Sequence, residues 1–284
     1  MAQIHLPFPI NDKSIKVEYS VPSKYAPVTT VPVQANYTPI GEKFKINQDL
    51  ECYITGDSKS NAAIIIYCFD VFGLSDNILQ AADILGKSGY RVIVPNYWNN
   101  KSFPPDLMGE DILLRAMEYD ELSPSAVPND ETTAKALKVK AFYEDTKQDI
   151  DAAKNYLIET ENFKNIFIVG ECLGGKVAKN AAEKDNFYIG LGLIHPSMVN
   201  NENIKKSEIP TILFAGSDDP DYTQGIEFLN KKGFGKFNNY QIYHDVAHGW
   251  ASSVADLSDP TIAKRLNETL GLLVAYLNQI LASQ

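Results

Sequence analysis

The amino-acid sequence predicts an α/β domain with a mostly parallel central sheet and helices on both faces. Two observations support this class. Strand-like runs alternate with amphipathic helical segments, and this order is typical of parallel sheets. The runs are also continuously apolar, as expected for strands covered on both faces. With 284 residues, of which 44% are hydrophobic, the chain is long enough for one large domain or two small ones.

The predicted elements follow one another in βαβ order. A first core strand is expected at 62–69, and a helix at 77–87 and a second strand at 91–95 come after it. The later predicted strands lie at 166–169, 188–194, 210–215 and 240–243, and the last helix at about 261–281. The leucines of this last helix recur at helical spacing, which indicates packing rather than a functional surface.

Two regions depart from this alternation. Residues 1–48 carry six prolines and little periodicity, so we expect an extended arm packed on the domain, with a short strand or two. The α/β domain would then cover 49–284, starting with an edge strand at 50–55. Residues 96–145 are rich in proline and acidic residues and predict a cap-like excursion over the sheet, with helical patches at 111–119 and 132–143. A regular helix at 146–160 is expected to follow.

Composition excludes several functional classes. The formal net charge of −10 argues against nucleic-acid and acidic-membrane partners. The three cysteines are odd in number and lack CxxC spacing, so the sequence predicts no disulfide framework and no metal site. Neither a secretion signal nor a membrane-spanning run is recognisable. We therefore expect a cytoplasmic protein that is a monomer or homodimer and acts on a small molecule.

The stretch at 166–175, IFIVGECLGG, is typical of a nucleophile elbow. A buried strand ends in a glycine-framed turn that carries Cys172, and helix-forming residues follow. The glycines would be needed because side chains there would collide with the neighbouring strand and helix. Cys172 would stand at the positive end of the helix, where a thiolate is stabilised. The N–H of Leu173 would face a developing oxyanion.

A thiol nucleophile needs a base and an acid that orients the base. In α/β-hydrolases these groups follow in the order nucleophile, acid, histidine, each after a strand. Cys172 and His248 satisfy this order, with the acid in the loop after the strand at 210–215. Asp218 and Asp219 compete for the acid role, and turn length favours Asp219. Asp221 is a more distant candidate.

The sequence resembles the dienelactone hydrolase family, most of all its eukaryotic branch, from about residue 38 to the end. The motifs that carry the resemblance are CFDVFG at 68–73, AD at 82–83, GYRVIVP at 89–95, ECLGG at 171–175, HPS at 195–197 and AHGW at 247–250. It implies an α/β-hydrolase fold and hydrolysis of lactones or esters by Cys172, His248 and Asp219. It further implies that Asp70 takes the thiol proton when substrate binds, and that the N–H groups of Leu173 and Val71 form the oxyanion hole.

The sequence departs from the family pattern at three points. Asp70 stands where bacterial members often have Glu, and Glu171 where we would expect an aromatic residue. A carboxylate beside the thiol would oppose thiolate formation. The segment after the histidine also lacks the arginine that holds a lactone carboxylate in bacterial members. A neutral or apolar ester, lactone or thioester therefore fits better, in a pocket for which Glu171, His195, Trp250 and Tyr97 are candidates.

An alternative hypothesis is a ligand-binding protein with little turnover. The 15 tyrosines, together with histidine and cysteine, offer axial ligands for haem, and an apolar planar ligand would suit such a scaffold. The hydrolase hypothesis requires no cofactor. A third and weaker interpretation makes 96–145 a partner-binding surface, although acidic, proline-rich segments are more often solvated loops.

Overall fold

A computed structural model describes residues 25–47, 49–59, 64–99, 102–109, 112 and 131–284. It confirms the predicted α/β class, with a single eight-stranded sheet. The strands are β1 (Glu42–Lys45), β2 (Glu51–Thr55), β3 (Ile64–Cys68), β4 (Arg91–Pro95), β5 (Ile166–Glu171), β6 (Tyr188–Ile194), β7 (Thr211–Ala215) and β8 (Asn239–Ile242). Their spatial order is β1-β2-β4-β3-β5-β6-β7-β8. From β4 to β8 every pairing is parallel, so the carboxyl ends of these strands meet at one edge.

The helices of the described chain cover both faces of the sheet. They are α1 (Asp76–Lys87), α2 (Glu131–Glu159), α3 (Leu173–Lys184), α4 (Asn201–Lys205), α5 (Thr223–Leu229) and α6 (Pro260–Leu281). The crossover through α1 leads from β3 to β4, and the crossover through α3 leads from β5 to β6 in the opposite direction. Right-handed crossovers in opposite directions lie on opposite faces. Accordingly α1 packs with α6, whereas α3 packs with α2.

The sheet begins earlier than composition predicts. β1 pairs antiparallel with β2, and β2 pairs antiparallel with β4, so β1 and not the predicted strand at 50–55 forms the edge. Residues 42–45 therefore belong to the sheet rather than to the arm. The sequence conceals this because EKFK is largely exposed and carries only one apolar residue.

The described part of the arm, residues 25–41, lies against the domain and forms no helix or strand. The N–H of Val28 donates to the carbonyl of Gly271 in α6 (3.1 Å), and the N–H of Val33 donates to the Asn267 side chain (2.9 Å). A Cβ at Gly271 would lie 2.4 Å from the Val28 carbonyl oxygen, so this close approach requires glycine. The part of the predicted arm at 1–24 lies outside the described residues.

The predicted excursion is shorter than 96–145. The two helices expected at 132–143 and 146–160 are one continuous helix, α2, because no glycine or proline interrupts residues 131–159. α2 packs on β3, β4 and α3, and thus belongs to the layer that covers the sheet. A 3₁₀ turn at Pro105–Leu107 lies within the remaining excursion. The helix predicted at 111–119 falls, apart from Ile112, outside the described residues.

Candidate active site

Cys172 occupies a strained turn between β5 and α3. Its backbone has φ 48° and ψ −122°, a region that non-glycine residues rarely adopt. The turn is tight because a Cβ at Gly174 would lie 2.3 Å from the Cys68 carbonyl oxygen and 2.4 Å from that of Phe69. The side chain of Cys172 is buried, at 2% exposure. The sharp glycine-dependent turn predicted from the sequence is therefore present.

The thiol of Cys172 lies beside the imidazole of His248. The Sγ–Nε2 distance is 3.4 Å, and on the other side of the ring Nδ1 lies 2.5 Å from Oδ1 of Asp219. These three residues come from the turn after β5, the loop after β7 and the loop after β8. The parallel sheet brings the three loops to one edge, as the sequence predicts. The geometry is that of a nucleophile, a base and an orienting acid.

The three aspartates after β7 have different partners. Asp219 contacts the His248 ring and accepts a hydrogen bond from the Gly216 N–H (2.6 Å). Asp218 instead accepts from the backbone N–H of His248 (2.5 Å), and thereby holds the histidine loop. Asp221 is exposed and caps its own turn by accepting from the Thr223 N–H. Of the three, only Asp219 is placed to orient the imidazole.

Electrostatics favour a charged imidazole at this site. Burial opposes the charge of His248, but the adjacent Cys172 sulfur and the Asp219 carboxylate outweigh it and raise the pKa of His248 well above its usual value. Burial similarly opposes ionisation of Asp219, whereas the hydrogen bond to His248 lowers the pKa of that carboxyl. Both shifts favour a charged imidazole that is paired with the Asp219 carboxylate and lies beside the Cys172 sulfur.

Ser197 is a site residue that sequence reasoning missed. Its Oγ lies 3.3 Å from the Cys172 sulfur and 3.2 Å from His248 Nε2, and its N–H donates to the Cys172 carbonyl (2.8 Å). The only available signal was the position of Ser197 in the HPS motif after β6. A lone serine after a strand has no distinctive spacing, and its proximity to the thiol depends on how β6 lies beside β5.

Glu171 is completely buried at the end of β5. Its Oε2 accepts a hydrogen bond from the Tyr67 hydroxyl (2.9 Å), while Oε1 has no partner among the described residues. Burial, reinforced by the nearby charge of Asp70, raises the pKa of Glu171 well above its usual value. The carboxyl is therefore neutral at moderate pH, and it does not add the negative charge beside the thiol that the sequence suggests.

Asp70 lies just beyond β3 and is buried. Its two oxygens accept hydrogen bonds from the Ser253 N–H (2.6 Å), the Ser253 hydroxyl (2.8 Å) and the Phe72 N–H (2.8 Å). Burial raises the pKa of Asp70, and these donors partly offset the rise. The carboxyl thus ties the loop after β3 to the loop that carries His248.

Three consecutive carbonyls after β3 are held by residues from the start of the excursion. The Tyr97 hydroxyl donates to the Phe69 carbonyl (2.5 Å), and the Trp98 indole donates to that of Asp70 (2.7 Å). The Phe103 N–H donates to the Val71 carbonyl (2.8 Å). Because a trans peptide is planar, fixing the Asp70 carbonyl also fixes the direction of the following N–H.

These contacts change the interpretation of Tyr97, which we predicted as a pocket residue. Its hydroxyl is used by the Phe69 carbonyl, and its ring stacks on Phe69 with centroids 4.3 Å apart. Tyr97 therefore supports the segment that contains Val71. Trp98 and Phe103 share this role, and the sequence offered no signal for them except their place directly after β4.

His195 and Trp250 lie beside the imidazole of His248. The His195 ring is edge-on to the His248 ring (4.8 Å between centroids) and to the Trp250 ring (5.5 Å). His195 is fully buried, and among the described residues neither of its ring nitrogens has a hydrogen-bond partner. Burial, with the nearby His248, lowers the pKa of His195 to about 3, so its imidazole is neutral. The Trp250 Nε1 is likewise buried, without a partner in the described chain.

A strained residue at a strand-to-helix turn, with an imidazole and a carboxylate converging at the carboxyl edge of a parallel sheet, defines an α/β-hydrolase fold. The model of the dienelactone hydrolase family matches residues 50–280. The chain belongs to the dienelactone hydrolase family, as the resemblance in the sequence implies. Membership of this family supports the classification of the protein as a hydrolase.

Two relatives and two solved structures are similar to the chain in sequence or in fold. The chain is similar to two uncharacterized AIM2 family proteins of Schizosaccharomyces pombe, at 29% identity over 82% of this chain and 88% of the relative, and at 25% over 81% and 87%. Its fold is similar to that of a Klebsiella pneumoniae protein assigned as a dienelactone hydrolase (TM-score 0.56, 15% identity, 84% of this chain and 98% of that one). It is also similar to a dienelactone hydrolase-like promiscuous phosphotriesterase from metagenomic libraries (TM-score 0.57, 13% identity, 86% and 97%).

The length and composition of the described helices are relevant to membrane insertion. None of them combines the length and the apolar character that crossing a membrane would require.

Proposed function

We propose that this protein hydrolyses small esters, lactones or thioesters with Cys172 as nucleophile, His248 as base and Asp219 as the acid that orients the base. The observation that carries the proposal is the continuous contact from sulfur to imidazole (3.4 Å) to carboxylate (2.5 Å) at a strained turn. A ligand-binding scaffold has no need for this arrangement, whereas nucleophilic catalysis requires it.

The reaction follows from the positions of these groups. The Cys172 thiolate attacks the substrate carbonyl carbon, and a C–S bond forms while the carbonyl oxygen becomes an oxyanion. Collapse of this intermediate breaks the bond to the leaving alcohol or thiol, which takes a proton from the His248 imidazolium. The neutral imidazole then removes a proton from water, whose oxygen attacks the thioester. Release of the carboxylic acid breaks the C–S bond and returns the thiolate–imidazolium pair.

Stabilisation of the oxyanion is assigned to two backbone N–H groups. Leu173 is the first residue of α3, so its N–H has no acceptor within the helix and lies at the positive end of the helix dipole. The second donor is the N–H of Val71, whose direction is fixed through Trp98. Two such donors are worth several kcal/mol in the transition state, at roughly 3 kcal/mol each.

The remaining candidates receive indirect roles. The family resemblance implies another route for the thiol proton, to Asp70 on substrate binding, whereas the reaction proposed here keeps that proton on His248 and leaves Asp70 bound to Ser253 and Phe72. Glu171, His195 and Trp250 form the buried surroundings of the thiol and the imidazole. Because Glu171 is neutral and the segment after His248 carries no positive charge, we propose a neutral or apolar substrate.

The test is covalent trapping of the acyl-enzyme. The protein is incubated with a panel of activated esters and thioesters, and the Cys172 peptide is examined by mass spectrometry for an acyl adduct. We expect the adduct on this peptide and steady turnover of at least one substrate. Cys172→Ala should abolish both.

The two other cysteines provide matched controls. Cys52 and Cys68 are buried in β2 and β3, and Cys52→Ala and Cys68→Ala should leave turnover largely intact. Equal loss in all three variants would mean that the cysteines matter for folding, and the proposed chemistry would be wrong. The haem-binding alternative stays a prediction of the sequence: a Soret shift on haem titration, without ester turnover, would favour it.

A further inference from the structure

Three side chains with strong affinity for soft metals converge at this edge of the sheet. The Cys172 sulfur, one ring nitrogen of His195 and one ring nitrogen of His248 all lie within 4.8 Å of one another. They come from the ends of β5 and β6 and from the loop after β8. The spacing of the three residues in the sequence therefore does not predict the cluster. Thiolate and imidazole are the donors that Zn²⁺ prefers in proteins.

His195 supplies an independent indication that the cluster can hold a ligand. Both its ring nitrogens are buried and lack a hydrogen-bond partner in the described part of the chain. Leaving a buried polar group without a partner destabilises the folded state. The backbone of His195 is also held at φ 34°, a conformation that few residues adopt. Hydrolysis as proposed above gives this imidazole no proton to transfer.

The distances are compatible with tetrahedral coordination. With Zn–S near 2.3 Å and Zn–N near 2.0–2.1 Å, ligand atoms of a tetrahedral site are about 3.4–3.6 Å apart. Sγ of Cys172 and Nε2 of His248 are already at 3.4 Å. The His195 nitrogen, within 4.8 Å of both, needs to approach each of them by about 1.4 Å at most. Coordination therefore requires the His195 ring to turn towards the sulfur and the His248 nitrogen.

The surroundings of His248 are also those of a metal ligand. Its other ring nitrogen, Nδ1, lies 2.5 Å from the Asp219 carboxylate, which fixes the tautomer and directs Nε2 towards the sulfur. A carboxylate behind a coordinating histidine is the common outer-shell arrangement of zinc sites, and it raises the basicity of the ligand.

We propose that Cys172, His195 and His248 form a binding site for a thiophilic divalent cation, with Zn²⁺ as the representative ion. Binding takes up the thiolate and the two neutral imidazoles, releases to solvent the proton held between the Cys172 sulfur and His248 Nε2, and leaves a fourth position open to water. The ion would occupy both the nucleophile and the base, and therefore block the thiol reversibly. Binding itself does not depend on the proposed hydrolase activity, whereas inhibition of turnover does.

The test uses Co²⁺ as a spectroscopic probe in the full-length, chelator-treated protein. Co²⁺ in a tetrahedral site with one thiolate gives strong visible d–d absorption and an ultraviolet sulfur-to-cobalt band. Zn²⁺ should displace the Co²⁺ and abolish both bands. We expect Cys172→Ser to remove the ultraviolet band and His195→Asn to weaken Zn²⁺ affinity at least tenfold. Asparagine is chosen because it tolerates a positive φ and lacks the imidazole. His244→Ala, at an exposed histidine, is the matched control and should bind as the wild type does.

Two further measurements make the outcome decisive. Zn²⁺ should protect Cys172 of the wild-type protein from iodoacetamide, a readout that needs no turnover. X-ray absorption of the zinc-loaded wild type should show one sulfur and two imidazoles, which covers the case in which His195→Asn fails to fold. Wild-type affinity in folded His195→Asn, or scattering from a single imidazole, would overturn the site. Intact zinc binding in a protein that turns over no ester would instead count against the proposed function alone.

Discussion

The buried carboxyl of Glu171 should make the stability of the protein depend on pH in a definite direction. The side chain is fully buried beside Asp70 and the thiol, and its pKa is well above the value in an unfolded chain, about 4.3. Between these two pKa values the folded state binds a proton that the unfolded state has lost. The stabilisation is complete below pH 4.3 and is lost as pH rises towards the folded pKa.

The perturbation that isolates this effect is Glu171→Gln, which keeps the shape and stays neutral at every pH. In the window between the two pKa values, the wild type should lose about 1.4 kcal/mol per pH unit relative to the variant. The glutamine amide has an N–H without a partner where Oε1 now lies, which adds a penalty of about 1–3 kcal/mol. That penalty does not vary with pH, so the slope is diagnostic.

Urea unfolding of both proteins at half-unit steps from pH 4.5 to pH 8 provides the measurement. The difference in free energy of unfolding should change steadily with pH in favour of Glu171→Gln. The exposed Glu227 on α5 offers a control, since Glu227→Gln makes the same chemical change at a side chain in contact with solvent. A pH-independent difference for Glu171→Gln would refute the conclusion that the fold keeps this carboxyl neutral.

Two other predictions concern the orienting acid and the elbow turn. Asp219→Asn should lower kcat by ~10³-fold, since it removes the charge that holds the His248 ring, whereas Asp218→Asn, at a backbone contact, should lower it less than about tenfold. Equal losses in steady-state assays of the two variants would count against Asp219 as the acid. Gly174→Ala should lower the free energy of unfolding, measured with urea, by at least ~3 kcal/mol, because the alanine Cβ would lie 2.3 Å from a carbonyl oxygen. Gly233→Ala, with open space around it, should cost less than about 0.5 kcal/mol, and comparable costs at both positions would contradict this account of the turn.

Local patterns predicted the elements that the sheet contains. The apolar runs identified the six core strands within about one or two residues at most ends, because a strand covered on both faces must be apolar throughout. The elbow was recognisable because glycine is the only residue that its tight packing admits. The order of residues along the chain then restricted the candidates for the acid to a short loop and the candidate for the base to His248. Predictions were less exact where no local signal exists. β1 lies in the arm, where a short strand or two was expected without bounds, and α2 is continuous where two helices were predicted, because polar residues do not interrupt a helix.

Residue patterns along the chain were thus enough to predict the fold class and to select a thiol, an imidazole and a choice of carboxylates. Contacts between distant elements show which aspartate meets the ring, that Ser197 touches both sulfur and imidazole, and that His195 lies beside them with no partner in the described chain. The raised pKa of Glu171 likewise depends on burial and on Asp70, 101 positions earlier in the chain. The physical reason is that distance and desolvation arise between elements remote in sequence, whereas periodicity and turn chemistry are properties of neighbouring residues.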